Sequence, residues 1–317
     1  MTSKKYSKDN KRAVIICGPT ASGKSALGLA VSERFKGSII GADSRQIYKK
    51  LDIGTAKPSA ADMSEVPHYM IDIVDVTEEF SAARFAELAK VYLEQILDLG
   101  RIPVVVGGAG LYLEALTAGI VEAPPKDDEV RNELERRLGE EGSERLHEEL
   151  RRIDPDSADD ISPNDPVRIV RALEIFELTG ETPSLIRKAG RYSVPDAEFL
   201  WIGIDLPREK LYERINARVD VMVGSGLVEE VRKLVDDGMG EALRKKKIVG
   251  YTEILDAFEG KHSIPVAVNL IKQHTRNYAK RQLTWFRNRL SPYWVNPFES
   301  GFHGKVFELI DDYLKRT

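Results

Sequence analysis

An apolar run, Ala13-Val14-Ile15-Ile16-Cys17, leads directly into Gly18-Pro19-Thr20-Ala21-Ser22-Gly23-Lys24-Ser25 and then into Ala26-Leu27-Gly28-Leu29-Ala30-Val31, whose apolar spacing suits a helix. A buried strand, a glycine-rich turn and a helix in that order leave few folds open. The glycines let the backbone wrap a phosphate group with its N–H donors, and the helix N-terminus adds roughly half a positive charge. Lys24 supplies a full cation, and Ser25 a hydroxyl suited to a Mg²⁺ ion. Residues 18–25 are therefore the candidate site for a diphosphate or triphosphate. Most loops of this type serve transfer or hydrolysis of a nucleotide's terminal phosphoryl group, so the remainder of the chain must decide what is bound.

Apolar runs and helical patterns alternate through the first ~120 residues. Strands are predicted at Ala13–Cys17, Ser38–Ala42, Tyr69–Ile73 and Pro103–Val106, and helices at Ala26–Phe35, Ala82–Leu99 and Leu111–Ala118. Short uninterrupted apolar strands between helices read as an α/β fold, a P-loop-type parallel sheet flanked by helices. Ligands in such sheets gather at the carboxyl ends of the strands. After Val121-Glu122-Ala123-Pro124-Pro125 the chain turns charge-dense and helical, with helices predicted at Glu129–Leu138, Ser143–Ile153 and Val167–Leu178. Phe199–Ile204 then reads as a strand returning to the sheet. The simplest organisation is a core of residues 1–121 and 197–317 with an all-helical insertion at 122–196. Further helices are expected at Arg208–Val223, Leu227–Asp237, Val266–Arg289 and Val306–Leu314.

With 317 residues, of which 42% are hydrophobic and 31% charged, the chain is of ordinary globular composition. No run approaches the ~18 apolar residues of a membrane span. The Lys-rich start, Met1 to Arg12, reads as a frayed tail with no apolar segment of a secretory signal behind it. One cysteine, Cys17, precludes internal disulfides and is expected to be an inert core residue, and a zinc site is not expected. A reducing, cytoplasmic setting and a monomer fit these features. Net charge is −4, but Arg244–Arg289 holds eleven Lys/Arg against Glu253, Asp256 and Glu259, a local +8. A basic region on an otherwise acidic chain is a directed footprint for a polyanion.

Asp43 ends the second apolar run, which sets a carboxylate at the edge of a strand expected beside the phosphate strand. There it can coordinate Mg²⁺ or take a proton from a nucleophile. Gly107-Gly108-Ala109-Gly110 follows another strand and allows close backbone approach to a ligand. That turn carries no acid, which weakens a plain ATPase reading. Lys272, Arg276 and Lys280 recur every four residues with Arg287 seven further on, interleaved with Leu270, Tyr278, Leu283 and Trp285. A basic helix face beside aromatics suits a phosphate backbone with bases stacked nearby. Arg244-Lys245-Lys246-Lys247 reads as a basic loop before Gly250-Tyr251, and Arg168 with Arg171 forms a third cationic site.

The ordered motifs GPTASGKS (18–25), DSRQIYKKLDIGTAKPS (43–59), PHYMIDI (67–73), FSAARF (80–85), VVVGGAGLY (104–112), PNDPVRIVRALE (163–174), VGYTE (249–253) and YAKRQLTWFR (278–287) together resemble the tRNA dimethylallyltransferase (tRNA isopentenyltransferase) family. The resemblance runs from about Val14 to Trp294. It implies transfer of a dimethylallyl group from dimethylallyl diphosphate to N6 of the adenosine 3′ of the anticodon, the adenosine leaving the anticodon loop to reach the donor. It implies Asp43 as general base and Gly18, Pro19, Thr20, Ala21, Ser22, Gly23, Lys24 and Ser25 as the diphosphate cradle. Mg²⁺ would sit at Ser25, with Arg214 or Arg218 helping to hold the leaving group. The implied tRNA contacts are Asp43, Ser44, Arg45, Gln46, Arg131, Arg168, Arg171, Lys247, Gly250, Tyr251, Lys280, Arg281 and Arg287, with the insertion gripping the anticodon arm. Ala109 departs from the family, which usually carries Thr there at the diphosphate end of the donor. A prenyltransferase of free adenine nucleotides, a nucleotide kinase or switch, and a non-catalytic RNA-binding module are the competing readings. A kinase would call for an acid after a core strand, and a binding module would need neither the intact loop nor Asp43.

Overall fold

Six consecutive residues covered on both faces form the strand from which this fold is built. In the computed structural model, which describes residues 11–119, 121, 123–190 and 195–316, that strand is β1 (Arg12–Cys17), buried throughout. Arg12 belongs to it rather than to a tail. Its guanidinium donates to the carbonyls of Tyr313 and Leu314 at 2.9 and 3.2 Å. The rest of the expected tail, residues 1–10, lies outside the described residues.

The chain continues through α1 (Lys24–Phe35), β2 (Gly37–Ala42), α2 (Ala60–Glu65), β3 (His68–Tyr69), α3 (Ala82–Asp98), β4 (Ile102–Gly107) and α4 (Gly110–Ala118). Five helices follow: α5 (Asp128–Glu141), α6 (Ser143–Ile153), α7 (Pro155–Asp160), α8 (Pro166–Thr179) and α9 (Pro183–Lys188). Then come β5 (Glu198–Ile204), α10 (Arg208–Gly224), α11 (Leu227–Asp236), α12 (Gly240–Lys246), α13 (Tyr251–Phe258), α14 (Ile264–Arg289), β6 (Tyr293–Val295) and α15 (Phe302–Lys315). The residues divide into two compact units, Met1–Thr117 with Pro195–Thr317, and Ala118–Val194. No described helix is long and apolar enough to cross a membrane.

In the first unit the sheet order is β3-β2-β4-β1-β5-β6, every pair parallel. Alternate residues serve opposite faces, as strand geometry requires. Val14, Ile16, Val104 and Val106 pack with residues of α1, α10 and α15, whereas Ala13, Ile15, Cys17 and Val105 pack with residues of α3 and α4 and with Phe286. A third apolar cluster joins Ile47, Tyr48 and Leu51 to α10, α11, α13 and α14. The second unit closes on Leu134, Leu146, Leu150, Ile169 and Leu173.

Two predicted elements differ from the structure. The strand expected over Tyr69–Ile73 stops at Tyr69, because Met70 and Asp72 take left-handed φ of 67° and 55° and cannot extend the ladder. That segment instead laces onto the chain after Asp43, with Asp72 N–H and Ile73 N–H donating to the carbonyls of Gln46 (3.2 Å) and Ile47 (2.9 Å). The basic loop at Arg244–Lys247 is the end of α12, with Lys247 in the left-handed position that closes the helix. Basic residues in the last turn of a helix meet its negative pole, which favours helix over loop.

Two glycines give opposite expectations for stability. A methyl group on Gly107 would lie 2.0 Å from the Ala42 carbonyl oxygen, whereas one on the exposed Gly139 of α5 meets nothing within 4 Å. Gly107→Ala is expected to cost about 2–3 kcal/mol or more, and Gly139→Ala to gain about 0.5–1 kcal/mol. Thermal unfolding of both variants checks this, and an unchanged midpoint for Gly107→Ala would contradict the packing.

Candidate active site

Register brings three strand ends together. Gly107 is opposite both Cys17 and Ala42 in the sheet, so the turns beginning at Gly18, Asp43 and Gly108 share one edge. The loop 18–25 wraps from β1 to α1, with Gly23 at φ 100° in left-handed geometry that glycine adopts without strain. A side chain on Gly23 would also crowd Arg214, whose Nη2 lies 3.3 Å from the position of an added Cβ. Arg218, one turn along α10, donates from Nη1 to the Thr20 hydroxyl at 3.3 Å. The two arginines thus flank the loop from the same helix, as i,i+4 spacing allows.

A cavity of about 280 Å³ is lined by Thr20, Lys24, Ser25, Asp43, Gln46, Lys57 and Arg218, among others. Lys24 Nζ donates to the Pro19 carbonyl at 3.1 Å, folded over its own loop. Burial pushes its ammonium down to about 8, with the Asp43 carboxylate opposing and the Arg218 guanidinium reinforcing the shift. Burial also lowers Arg218, again opposed by Asp43. Asp43 Oδ1 accepts the backbone N–H groups of Arg45 (2.9 Å) and Gln46 (3.4 Å), which orient the carboxylate. The Gln46 amide in turn donates to the carbonyls of Thr55 and Ala56 at 3.1 and 3.0 Å, fixing the cavity wall. Cys17 is buried beneath, and burial pushes its thiol up to about 12.

Ser25 and Asp43 offer hard oxygen donors to the same cavity, a set that fits Mg²⁺ when substrate oxygens and water complete the shell. Among the described residues no group of three or more His, Cys, Asp or Glu could hold a metal on its own. Ala109, partly buried, packs against the apolar cluster that contains Ala42 and Tyr112, and its N–H donates to the Ala42 carbonyl at 3.1 Å.

Gly18, Pro19, Ala21 and Ser22 complete the phosphate loop, and Ser44 and Arg45 follow Asp43 half-buried. The other predicted contacts are dispersed. Tyr251 is fully buried, its hydroxyl donating to Glu230 at 2.6 Å, and Gly250 is buried beside it, so the Tyr251 side chain is part of the core. Lys272 pairs with Asp220 at 2.6 Å and Arg276 donates to Asn216 at 2.7 Å, so these two residues of the basic stripe are turned onto α10, whereas Arg287 is exposed and pairs with Asp205 at 2.5 Å on the surface. Another exposed basic surface of α14 is a groove of about 490 Å³ lined by Asn277, Lys280, Arg281, Thr284, Trp285 and Arg289. Lys247 is exposed. In the helical unit Arg131 and Arg171 share the fully buried carboxylate of Glu174, at 3.4 and 2.8 Å, while Arg168 is exposed and donates to the Asp160 carbonyl.

Two residues at this edge lie within the motif YAKRQLTWFR (278–287) but are not among the candidate site residues. Tyr278 packs near Asp43, and burial and that negative charge push its phenol up to about 12. Gln282 bonds both the phosphate loop and the turn after β4. The signal for Gln282 is its place among Ala279 and Phe286 on the buried stripe of α14, where a polar residue needs partners.

Comparison with known proteins shows the family. The family model described as IPP transferase matches residues 46–289. A tRNA dimethylallyltransferase of Acetivibrio thermocellus is 44% identical over 302 residues, covering 95% of this chain and 96% of its own. That of Geobacter metallireducens is 47% identical over 287 residues, covering 90% and 93%. Among solved structures, a tRNA isopentenylpyrophosphate transferase of Staphylococcus epidermidis is 38% identical with a TM-score of 0.68, covering 96% of this chain and 100% of its own. A eukaryotic dimethylallyltransferase acting on tRNA is 26% identical with a TM-score of 0.78, covering 96% and 80%. The chain belongs to the IPP transferase family, that of the tRNA dimethylallyltransferases.

Proposed function

We propose that this protein transfers the dimethylallyl group of dimethylallyl diphosphate to N6 of the adenosine 3′ of the anticodon in tRNA, releasing diphosphate. One observation carries the mechanism: a carboxylate, Asp43, shares a single cavity with the phosphate loop, Lys24 and Arg218. The exocyclic amine of adenine is a weak nucleophile, so removal of its proton as the new bond forms is valuable, at about 10²–10⁴-fold. In this reading the N6–C1 bond forms as the C1–O bond breaks, the N6 proton passes to Asp43, and diphosphate departs with the electron pair. The N–H groups of residues 18–25, Lys24, Arg214 and Arg218 hold the charge that develops on the leaving oxygens. Mg²⁺ held by Ser25 and the diphosphate oxygens would add to that neutralisation. The bond broken is carbon–oxygen, which accounts for a phosphate loop without a hydrolase acid after β4. For the RNA, the α14 groove around Lys280, Arg281 and Trp285 joins two cations to an aromatic face, a surface suited to a phosphate and a stacked base. Arg168 offers a cation on the helical unit, which we assign to the anticodon arm, while Arg131 and Arg171 act indirectly by holding Glu174.

The reading is tested by offering labelled dimethylallyl diphosphate to an unmodified anticodon stem-loop and, separately, to AMP, ADP and ATP. Label is expected in the RNA alone, and label entering only the free nucleotides would overturn the tRNA assignment. Asp43→Asn keeps the acceptor for the Arg45 N–H and is expected to lower kcat by about 10²–10⁴-fold with stem-loop affinity within about twofold. Near-normal turnover in that variant would remove Asp43 as the base.

Because burial pushes Lys24 down to about 8, donor affinity is expected to depend on pH. The diphosphate favours the ammonium form, so affinity is expected to be level below about pH 8 and to fall towards tenfold per unit above it. Lys24→Met should bind weakly and lack that step, and titration calorimetry between about pH 7 and 9.5 checks both. An affinity flat to about pH 9.5 in the unaltered protein would show that burial does not depress Lys24, and undiminished donor affinity in Lys24→Met would exclude the role.

Ala109→Thr supplies the hydroxyl that the cradle lacks. A hydrogen bond to a charged group is worth about 1.5–3 kcal/mol, so kcat/KM for the donor should rise about tenfold or more. An unchanged value in steady-state assays would show that this protein's cradle is complete without it.

A further inference from the structure

Gln282 ties its side-chain amide to two loops that the sequence separates widely. Its Oε1 accepts the Thr20 N–H at 2.9 Å, and its Nε2 donates to the Gly108 carbonyl at 2.8 Å. The residue is only 7% exposed, on the inward stripe of α14. The fit is close enough that a Cβ on Gly108 would stand 2.2 Å from Nε2, so Gln282 accounts for glycine at that position. Thr20 is also the residue whose hydroxyl receives Arg218, and the residue after Gly108 donates its N–H to the Ala42 carbonyl, next to Asp43. Hydrogen bonds and single peptide steps thus connect Arg218, Thr20, Gln282, Gly108, Ala42 and Asp43 without a gap.

We infer that Gln282 is a positioning residue for the transfer reaction, setting the separation between the diphosphate loop and the carboxylate base by clamping Thr20 to Gly108. The inference rests on the function proposed above and adds a residue to it. Gln282 need not touch either substrate. Its amide is suited to the clamp because it offers an acceptor and a donor about 2 Å apart in one plane. An ionised Glu loses the donor, Met loses both, and Asn is one methylene short. Displacement of a reacting group by about 1 Å can cost on the order of 10²-fold in rate, which is the scale on which such a clamp acts.

The test uses Gln282→Met and Gln282→Glu in the full chain, with four readouts: kcat and KM for dimethylallyl diphosphate, stem-loop affinity, affinity for inorganic diphosphate with Mg²⁺, and the unfolding midpoint. For Gln282→Met, kcat is expected to fall about 10–100-fold, with stem-loop affinity unchanged within about twofold. Gln282→Glu should show a similar loss near neutral pH and recover, relative to the unaltered protein at the same pH, as acid protonates the carboxyl and restores its donor. A lowered unfolding midpoint with kcat intact well below the transition would mean that the side chain only stabilises the fold, and would overturn the inference. So would an equal loss of stem-loop affinity. Should Gln282→Met fail to fold, the pH profile of Gln282→Glu decides alone, and absence of acid recovery overturns the inference. Should the unaltered protein transfer no prenyl group, the proposed function fails separately. Inorganic diphosphate then reports on the clamp: affinity about tenfold weaker in Gln282→Met supports it, and unchanged affinity overturns it.

Discussion

Parallel pairing of β1 between β4 and β5 is the constraint on which everything else rests. Once Val14 stands opposite Val104 and Leu200, Cys17 at the end of β1 stands opposite Gly107 and Gly203. The same register, carried outward from β4, places Ala42 beside Gly107. A slip of one residue would move every apolar side chain to the wrong face of a sheet buried on both sides, so the register is strongly specified. The phosphate loop and Asp43 are neighbours because of that requirement, with no contact between their own side chains needed to bring them together.

What gathers at this edge is electrostatically costly. Two cations, Lys24 and Arg218, are held where burial disfavours their charge, and a single carboxylate, Asp43, offsets them both. Cations held in a partly desolvated cavity favour an entering anion, since attraction strengthens as the effective dielectric falls. Lys24 takes the Pro19 carbonyl as partner. Hydrogen bonds to backbone groups hold Asp43 and Gln46, which fixes that side of the cavity.

Basic residues elsewhere divide by what surrounds them rather than by how they are spaced. Lys272, Arg276 and Arg287 find partners within the protein, and Arg131 with Arg171 neutralises a buried glutamate. A buried carboxylate requires such partners, because an unpaired one would be strongly destabilising. Lys280 and Arg281 remain on the outer face of α14, where they line a groove with Trp285.

Local chemistry made much of this legible in the sequence. Apolar runs of strand length, the order strand–glycine turn–helix at residues 12–35, and an acid closing the next run follow from side-chain burial and glycine geometry, which act within a few residues. The ordered motifs identified the family, and the comparisons agree. Spacing on α14 was less informative, because periodicity reports that charges share a face without saying what that face meets; Asp220 and Asn216 answer from another helix. Tyr251 occurs in a motif, yet its side chain sits in the core and its hydroxyl donates to Glu230, 21 residues away in the chain. The end of β3 depended on left-handed residues at Met70 and Asp72, which no propensity favours and which the bonds to Gln46 and Ile47 maintain. Gln282 is the clearest case. The sequence by itself determined that a glutamine lies on α14, but only the tertiary structure decided that its amide bridges Thr20 and Gly108, 262 and 174 residues distant, because hydrogen bonds are satisfied in space and not along the chain.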